Sequence, residues 1–222
     1  MIKKIKLTDY LAYFLKRKKI INIFAVIGGA NVHIIDSLSK VKENKIIFNH
    51  HEQASAFAAQ ASSRVKNVPS VCVTTTGPAG TNAMTGLLSA WQDSIPTIFI
   101  SGQSRSQIIK NAGERRQFGN QGFKISELVK KMTKKSVTVY DPKEFHKILE
   151  SCYKESISGR PGPVWIDIPL DIQGAKIQEY VDKKDNKTDI QKKDVSNYEV
   201  DSIVNLISKS KKPLFKIGRA HV

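Results

Sequence analysis

An acidic residue, Glu52, stands where a predicted strand gives way to a predicted helix of small residues. The helix begins Glu-Gln-Ala-Ser-Ala-Phe-Ala-Ala-Gln-Ala, and the next charged residue is Arg64. A carboxyl group among small side chains is poorly solvated, and such a group can exchange a proton in general acid–base catalysis. The residue types also allow a purely structural role, because an acidic side chain stabilises the first turn of any helix.

The histidines and cysteines do not form a recognisable metal motif. His50 and His51 are adjacent, so they cannot share one helix face as the two histidines of a His-x-x-x-His zinc motif do. Cys72 and Cys152 are isolated, and their spacing indicates neither a disulfide framework nor structural zinc. No metal ligand is therefore predicted.

Two glycine-containing turns follow predicted strands. The first contains Gly28 and Gly29, and the second reads Thr76-Gly77-Pro78-Ala79-Gly80-Thr81-Asn82. Exposed backbone N–H groups at such turns can bind an anion or a ring nitrogen. Neither turn has the pattern of a Walker loop or of a dinucleotide-binding loop. Taken alone, each is better explained as a tight turn between a strand and a helix.

Short apolar runs alternate with helical patterns, and these elements must position the residues above. The predicted strands are residues 23–27, 45–48, 70–75, 97–101 and 164–168. The predicted helices are residues 8–18, 31–41, 52–65, 79–91, 143–158 and 200–208. This alternation predicts a parallel α/β sheet covered on both faces. Residues 103–122, rich in Gly, Arg, Gln and Asn, are predicted to form a long loop, and loops of that length are usually functional or mobile.

A change in composition divides the chain. Residues 174–198 are dominated by Lys, Asp, Asn and Gln, which predicts a linker between a first domain at 1–173 and a second unit at 199–222. The second unit reads as one helix and one strand, the strand at 213–217. Because about twenty residues cannot complete a core, we expect the chain to stop early in a second domain. The last residues, 217–222, resemble a translated sequencing adapter and are expected to be non-native.

The composition excludes several classes of protein. The chain has 222 residues, of which 40% are hydrophobic and 25% charged, and no apolar run suits a membrane-spanning helix. The net charge is +16, but the basic residues are scattered in pairs such as Lys18-Lys19 and do not alternate with aromatic residues as in a nucleic-acid stacking platform. We therefore expect a cytoplasmic protein that binds neither nucleic acid nor membrane.

Taken in order, the motifs form a pattern that covers most of the chain. They are Gly28-Gly29, His51-Glu52-Gln53-Ala54, Thr76-Gly77-Pro78-Ala79-Gly80-Thr81-Asn82, Asp93-Ser94-Ile95-Pro96, Ser101-Gly102-Gln103, Arg116-Gln117-Phe118-Gly119-Asn120-Gln121 and residues 159–171. This order resembles the N-terminal pyrimidine-binding domain of thiamine diphosphate enzymes, specifically the acetolactate synthase-like group, over residues 5–173. The resemblance implies a three-layer α/β/α fold with a mainly parallel sheet.

The resemblance also implies residue roles. Glu52 matches the glutamate that hydrogen-bonds N1′ of the cofactor's aminopyrimidine and so promotes loss of the thiazolium C2 proton. Gln121 matches a glutamine near the reacting carbonyl, so Glu52 and Gln121 are the implied catalytic residues. The implied cofactor-binding residues are Gly28, Gly29, Glu52, Gly77, Pro78, Asn82 and Gln103. His33 and His51 are further candidates for lining the pocket. For these two and for Gln103, packing or local hydrogen bonding is the alternative role.

The activity that the resemblance implies is that of a carboligase or decarboxylase, a transferase or lyase acting on pyruvate or a similar 2-keto acid. Acetolactate synthesis in branched-chain amino acid biosynthesis is the corresponding pathway. In this family the cofactor bridges the pyrimidine domain of one subunit and the diphosphate domain of another, which implies a homodimer or tetramer. The Mg²⁺ ligands belong to the diphosphate domain, and FAD, where bound, belongs to the middle domain. The chain alone is therefore expected to be inactive.

Two positions depart from the acetolactate synthase pattern. Ile27 stands where a proline commonly precedes the glycine pair, and His33 stands where another proline is common. The string Asn49-His50-His51-Glu52, with His33, resembles relatives found beside surface-polysaccharide genes. Two-carbon transfer to a sugar is therefore a second interpretation. A non-catalytic module of the same fold is a third, because a fold does not determine a function.

Overall fold

The computed structural model describes residues 4–179 and 197–214. The chain divides into two compact units, residues 1–181 and 182–222. The strands are β1 Lys4–Lys6, β2 Asn22–Ala25, β3 Lys45–Phe48, β4 Ser70–Thr74, β5 Thr97–Gln103, β6 Lys135–Thr138, β7 Val164–Pro169 and β8 Lys176–Gln178. The helices are α1 Leu7–Arg17, α2 Val32–Ser39, α3 Glu52–Lys66, α4 Pro78–Asn82, α5 Met84–Gln92, α6 Ser106–Lys110, α7 Ile125–Leu128, α8 Phe145–Ile157, α9 Leu170–Gln173 and α10 Asn197–Lys209. Short 3₁₀ turns, Val129–Met132 and Pro142–Glu144, precede β6 and α8.

A six-stranded sheet in the order β3-β2-β4-β5-β7-β6 organises the first unit. Every neighbouring pair in this sheet is parallel, with Ile23 opposite Val71 and Ile100 opposite Ile166. β1 and β8 form a separate antiparallel pair. Because the six strands run in one direction, their carboxyl ends and the loops that follow them lie along one edge of the sheet.

Helices cover both faces of the sheet, which confirms the predicted three-layer α/β/α fold. On one face, strand residues such as Ile23 and Ile98 pack with α1, α2 and α8 in one apolar cluster. The strand residues between them, such as Phe24 and Phe99, pack with α3 and α5 in a second cluster. Since side chains alternate along a strand, the unbroken apolar runs supply both faces.

The small residues of α3 allow it to pack closely on α5. A Cβ on Gly86 of α5 would lie 2.6 Å from the Cβ of Ala56, and Ala56 and Ala59 of α3 are fully buried. A larger side chain at this contact would force the helices apart, because protein interiors contain little spare volume. The close packing therefore positions Glu52, the first residue of α3.

Most predicted elements form, and the exceptions are short or polar. The five predicted strands are present with ends within about two residues of the expected ones. β1, β6 and β8 were not predicted, since each has at most four residues and none is an apolar run. The helix predicted at 79–91 is divided at Ala83 into α4 and α5, and the loop predicted at 103–122 contains α6.

Part of the predicted linker is structured. Residues 176–178, within the expected linker at 174–198, form β8 and pair with β1. Residues 180–196 of that linker and residues 215–222 lie outside the described residues, so most of the strand predicted at 213–217 does too. The helix predicted at 200–208 is present as α10. Within residues 4–179 and 197–214, no helix is long and apolar enough to cross a membrane.

Candidate active site

The residues predicted to bind a cofactor lie along the carboxyl edge of the sheet. Gly28 and Gly29 follow β2, and Glu52 follows β3. Gly77, Pro78 and Asn82 follow β4, and Gln103 is the last residue of β5. We call residues 75–82 the β4 loop. It is the centre of the arrangement, because Gly28, Glu52, Gln103 and Gln121 each lie against one of its residues.

Glu52 is held at the N-terminus of α3 beside Asn82. It is 9% exposed, and Nδ2 of Asn82 donates a hydrogen bond to its Oε2 at 3.0 Å. His51 caps the helix, since its Nδ1 accepts from the N–H of Gln53 at 3.2 Å. Among the described residues, Asn82 is the one hydrogen-bond partner of the Glu52 carboxylate. One carboxylate oxygen therefore remains for a ligand, and the helix N-terminus favours its negative charge.

The loop that carries Gln121 lies directly against Gly77. Gly77 has φ 63° and ψ −123°, a conformation that residues with a side chain avoid. A Cβ at this position would overlap the carbonyl oxygen of Gln121. The close approach creates a pocket of about 430 Å³, whose lining includes Gly77, Pro78, Arg116, Gln121 and Phe123. The structure thus brings Gln121 to the turn at Gly77, and its role near a reacting carbonyl stays a prediction.

The short helix α4 connects the pocket with Glu52. The helix begins at Pro78, which lines the pocket, and ends at Asn82, which holds Glu52. A rise of 1.5 Å per residue places these two ends about 6 Å apart. One short helix therefore carries both part of the pocket wall and the residue that holds Glu52.

Gly28 allows the loop after β2 to approach the β4 loop. A Cβ on Gly28 would lie 2.6 Å from the Cβ of Thr75. Buried Asn31 closes this turn, because its Oδ1 accepts from the N–H of Gly28 at 2.9 Å. Sequence reasoning placed Asn31 only at a helix start and missed this contact. Gly29 differs, since no atom of the described residues, apart from its chain neighbours, lies within 4 Å of the position that a Cβ would take there.

Gln103 lies beneath the β4 loop and is 1% exposed. Its Oε1 accepts from Thr76 Oγ1 at 2.6 Å and from the N–H of Ser104 at 2.9 Å. Its Nε2 donates to the carbonyl oxygen of Phe123 at 2.7 Å and to Oδ2 of Asp167 at 3.2 Å. All of these contacts are to protein groups, so direct binding of a cofactor by Gln103 stays a prediction.

Asp167 is a buried acid that sequence reasoning did not single out. It lies in β7 and is 1% exposed. Burial raises its pKa from the ordinary value of 3.8 to about 7, against the opposing effect of hydrogen bonds from Ser101, Gln103 and Thr138. The available sequence signal was the charge itself, since Asp167 interrupts the apolar run of a central strand.

We expect Asp167 to make the protein less stable as the pH rises. Its pKa in the folded state, about 7, lies above the ordinary 3.8, so between these values the folded protein keeps a proton that the unfolded chain releases. The contribution of Asp167 to the free energy of unfolding is therefore lost as the pH rises through that window. Relative to Asp167→Asn, which cannot titrate, the wild type should lose up to about 4 kcal/mol of unfolding free energy between roughly pH 4 and pH 8. Urea unfolding across this range measures the difference.

The control for this experiment is Asp141→Asn. Asp141 is exposed and caps a 3₁₀ turn through the N–H of Lys143, a role that asparagine also fills. The pKa of Tyr140 is raised above 10.0 by burial and by the charges of Asp167 and Glu127, so it does not titrate in the window. Parallel pH profiles for the wild type and Asp167→Asn would contradict the prediction.

The two histidine candidates lie in different surroundings. His51 is exposed and caps α3. His33 is half-buried in α2, where a Cβ on Gly174 would lie 3.8 Å from its Nε2. Within the part of the chain that the structure describes, no three His, Cys, Asp or Glu side chains are grouped so as to hold a metal ion.

Comparison with known proteins identifies a family. The profile described as "Thiamine pyrophosphate enzyme, N-terminal TPP binding domain" matches residues 5–121. The acetolactate synthase of Arabidopsis thaliana (chloroplastic) is 32% identical over 223 residues, which cover 95% of this chain and 31% of that protein. The acetolactate synthase isozyme 1 large subunit of Escherichia coli (strain K12) is 33% identical over 167 residues, 75% of this chain and 29% of that protein. Acetolactate synthase 1 (chloroplastic) of Oryza sativa subsp. japonica is 36% identical over 171 residues, 74% of this chain and 25% of that protein.

These matches agree with the fold. The chain spans between a quarter and a third of the length of these curated relatives. The matched region, residues 5–121, contains Glu52, the β4 loop, Gln103 and Gln121. The chain therefore belongs to the thiamine pyrophosphate (thiamine diphosphate) enzymes of the acetolactate synthase-like family and carries their N-terminal cofactor-binding domain.

Proposed function

We propose that the chain supplies the pyrimidine-binding half of a thiamine-diphosphate-dependent enzyme acting on pyruvate or a similar 2-keto acid. The reaction is decarboxylation followed by transfer of the two-carbon unit to an acceptor, as in acetolactate synthesis for branched-chain amino acids. The observation that carries this proposal is the pair of Glu52 and Asn82, in which a largely buried carboxylate keeps one oxygen available at the N-terminus of α3. The acetolactate synthase names of the relatives support the same class.

Glu52 is the proposed proton-exchanging group. Thiamine diphosphate, when bound, supplies a nucleophilic carbon that adds to a keto group and holds the electrons released with CO₂. The carboxyl group of Glu52 would share a proton with N1′ of the aminopyrimidine in a hydrogen bond and so exchange a proton at that atom. Asn82 orients the carboxylate through its bond to Oε2. Gly77 and Pro78 would form the turn against the ring, and Gly28 and Gly29 would form a second turn near it.

The pocket suits a small anionic substrate. A volume of about 430 Å³ accommodates a 2-keto acid with room for an acceptor. The amide of Gln121 is proposed to hydrogen-bond the reacting carbonyl. Arg116 lines the same pocket, and its guanidinium group can pair with the substrate carboxylate. Sequence reasoning included Arg116 in a motif without giving it a role.

We expect Arg116→Gln to weaken substrate binding more than catalysis. The KM for pyruvate should rise about fivefold, which is the effect of losing one solvent-exposed ion pair, with kcat changed less than about twofold. Steady-state kinetics with pyruvate measure both constants. The control is Arg115→Gln, because Arg115 lines the neighbouring cavity that Arg116 and Phe123 also border. A KM unaffected by Arg116→Gln, or equally affected by Arg115→Gln, would exclude Arg116 from carboxylate binding.

The test of the proposed function uses the enzyme that includes this chain. Incubated with pyruvate, thiamine diphosphate and Mg²⁺, it should release CO₂ and form 2-acetolactate, and omitting the cofactor should abolish both. CO₂ release that depends on an added aldose, with a ketose product, would favour the second interpretation, to which Ile27 and His33 point. Absence of both cofactor binding and CO₂ release would favour a non-catalytic module.

The assembly and the remaining cofactors are part of the proposal. The diphosphate and Mg²⁺ are assigned to a domain of a second subunit, which makes the enzyme a homodimer or tetramer, and FAD to a middle domain. The 222-residue chain alone is proposed to be inactive, because it would hold the cofactor at one end only. Turnover of pyruvate by the isolated chain would overturn this point. The cytoplasm is the proposed location.

A further inference from the structure

The carboxylate of Asp167 lies beneath the two loops that line the pocket. Strand register places Ser101 of β5 and Thr138 of β6 directly beside Asp167 of β7. Ser101 Oγ donates to Oδ1 at 2.6 Å, and Thr138 Oγ1 donates to Oδ2 at 3.3 Å. All of its hydrogen-bond donors within the described residues are neutral. Burying a carboxylate without a cation is costly, and an apolar residue of similar size would avoid that cost.

Asp167 reaches the loops through the amide of Gln103. Nε2 of Gln103 donates both to Asp167 and to the carbonyl oxygen of Phe123, two residues after Gln121. Oε1 of the same amide accepts from Thr76, which immediately precedes Gly77. One buried side chain therefore ties the β4 loop to the loop that carries Gln121.

The orientation of this amide depends on Asp167. In the observed orientation, each polar atom of Gln103 faces a group of complementary character. If the amide turned over, Oε1 would face the oxygens of Phe123 and Asp167, and Nε2 would face the N–H of Ser104. These contacts are repulsive. A substitution that removes the acceptor oxygen of Asp167 would weaken the preference of the Gln103 amide for this orientation. It would also leave Nε2 of Gln103 with one hydrogen-bond acceptor fewer.

We propose that Asp167 is a positioning residue of the site, whose carboxylate holds Gln103 so that Gln103 joins the β4 loop to the backbone at Phe123. The proposal rests on the proposed function, because these are the loops that would hold the cofactor ring and the substrate. Asp167 itself would contact neither the cofactor ring nor the substrate, because the strands and Gln103 surround it.

Hydrogen exchange in the 222-residue chain tests the proposal. In Asp167→Leu, amides of residues 77–81 and 119–126 should exchange about tenfold faster, while those of β2 and α1 remain protected. In Asp167→Asn the same amides should exchange as in the wild type, because the asparagine carbonyl oxygen can still accept from Nε2 of Gln103. A purely structural role for the charge would not produce this rescue. The proposal would be overturned if Asp167→Leu left the exchange rates of these amides unchanged. It would also be overturned if Asp167→Asn raised them as much as Asp167→Leu does.

Two further variants keep the test decisive. Ser101→Ala removes the hydrogen bond to Oδ1 without touching Gln103, so the loops should stay protected, and acceleration matching that of Asp167→Leu would count against the proposal. Should Asp167→Leu fail to fold, Gln103→Met replaces it. This variant leaves Asp167 with Ser101 and Thr138, and unchanged exchange in both loops would refute the link.

The exchange readout separates this proposal from the proposed function. It uses neither cofactor nor substrate, so the loops can respond as expected even if the enzyme releases no CO₂ from pyruvate. In that case the proposed function fails and the role of Asp167 in loop position stands. Conversely, CO₂ release by the enzyme together with unchanged loop exchange rates in Asp167→Leu would overturn the positioning role alone.

Discussion

Replacing Glu52 by glutamine is expected to slow exchange of the C2 proton of bound thiamine diphosphate by about a hundredfold or more. Glutamine keeps the shape of the side chain and can accept the hydrogen bond that Asn82 donates to Oε2. The amide cannot take up and release a proton, which is the function proposed for the carboxylate. Proton NMR of the enzyme in D₂O, with the cofactor bound, follows the exchange directly.

The control for this substitution is Glu144→Gln. Glu144 is exposed and pairs with Lys147 at the start of α8, so the same chemical change there should leave the exchange rate at the wild-type value. Thermal unfolding of both variants should lie within a few degrees of the wild type, because neither substitution changes side-chain volume. An exchange rate that survives Glu52→Gln would remove Glu52 from the proposed catalysis.

Gly77→Ala is expected to destabilise the protein by about 4 kcal/mol. Two effects add at this position. The backbone conformation, φ 63° and ψ −123°, is strained for any residue with a Cβ. In addition, the new Cβ would overlap the carbonyl oxygen of Gln121, so the loop carrying Gln121 must move away. The free energy of unfolding from urea titration measures the sum.

Gly113→Ala is the control for the steric effect. Gly113 also has a positive φ, 55°, but in the described part of the chain no atom beyond its immediate chain neighbours lies within 4 Å of the position that its Cβ would take. It therefore tests backbone strain alone, and we expect a loss of about 1 kcal/mol. Equal losses from the two substitutions would mean that Gln121 does not lie against Gly77 in solution, and the pocket described above would lose one wall.

The local pattern of the chain was sufficient to predict the main sheet. β2, β3, β4, β5 and β7 are short runs rich in β-branched or aromatic residues, and helical patterns separate them. Such patterns depend on neighbours in sequence, which is why they can be read without knowing the fold. β1 and β8 could not be predicted in this way, because each becomes a strand by pairing with a partner more than 160 residues away.

The predicted site also has features that follow from local sequence and features that depend on distant contacts. The position of Glu52 between a strand and a helix of small residues follows from local sequence, and the order of the motifs indicated the cofactor family. Gln103 shows what the local sequence does not give. Cofactor binding by Gln103 stays a prediction, and the structure adds that its buried amide bonds Thr76, Phe123 and Asp167.

The sequence alone determined the fold class and the family, and it singled out Glu52 as the candidate acid. The tertiary structure alone decided that Gln121 lies against Gly77, that Asn82 holds Glu52, and that Asp167 supports the loops through Gln103. The physical reason is that strand and helix preferences arise from a few consecutive residues. Contacts between loops depend instead on strand order and register, which are set by burial summed over the whole domain.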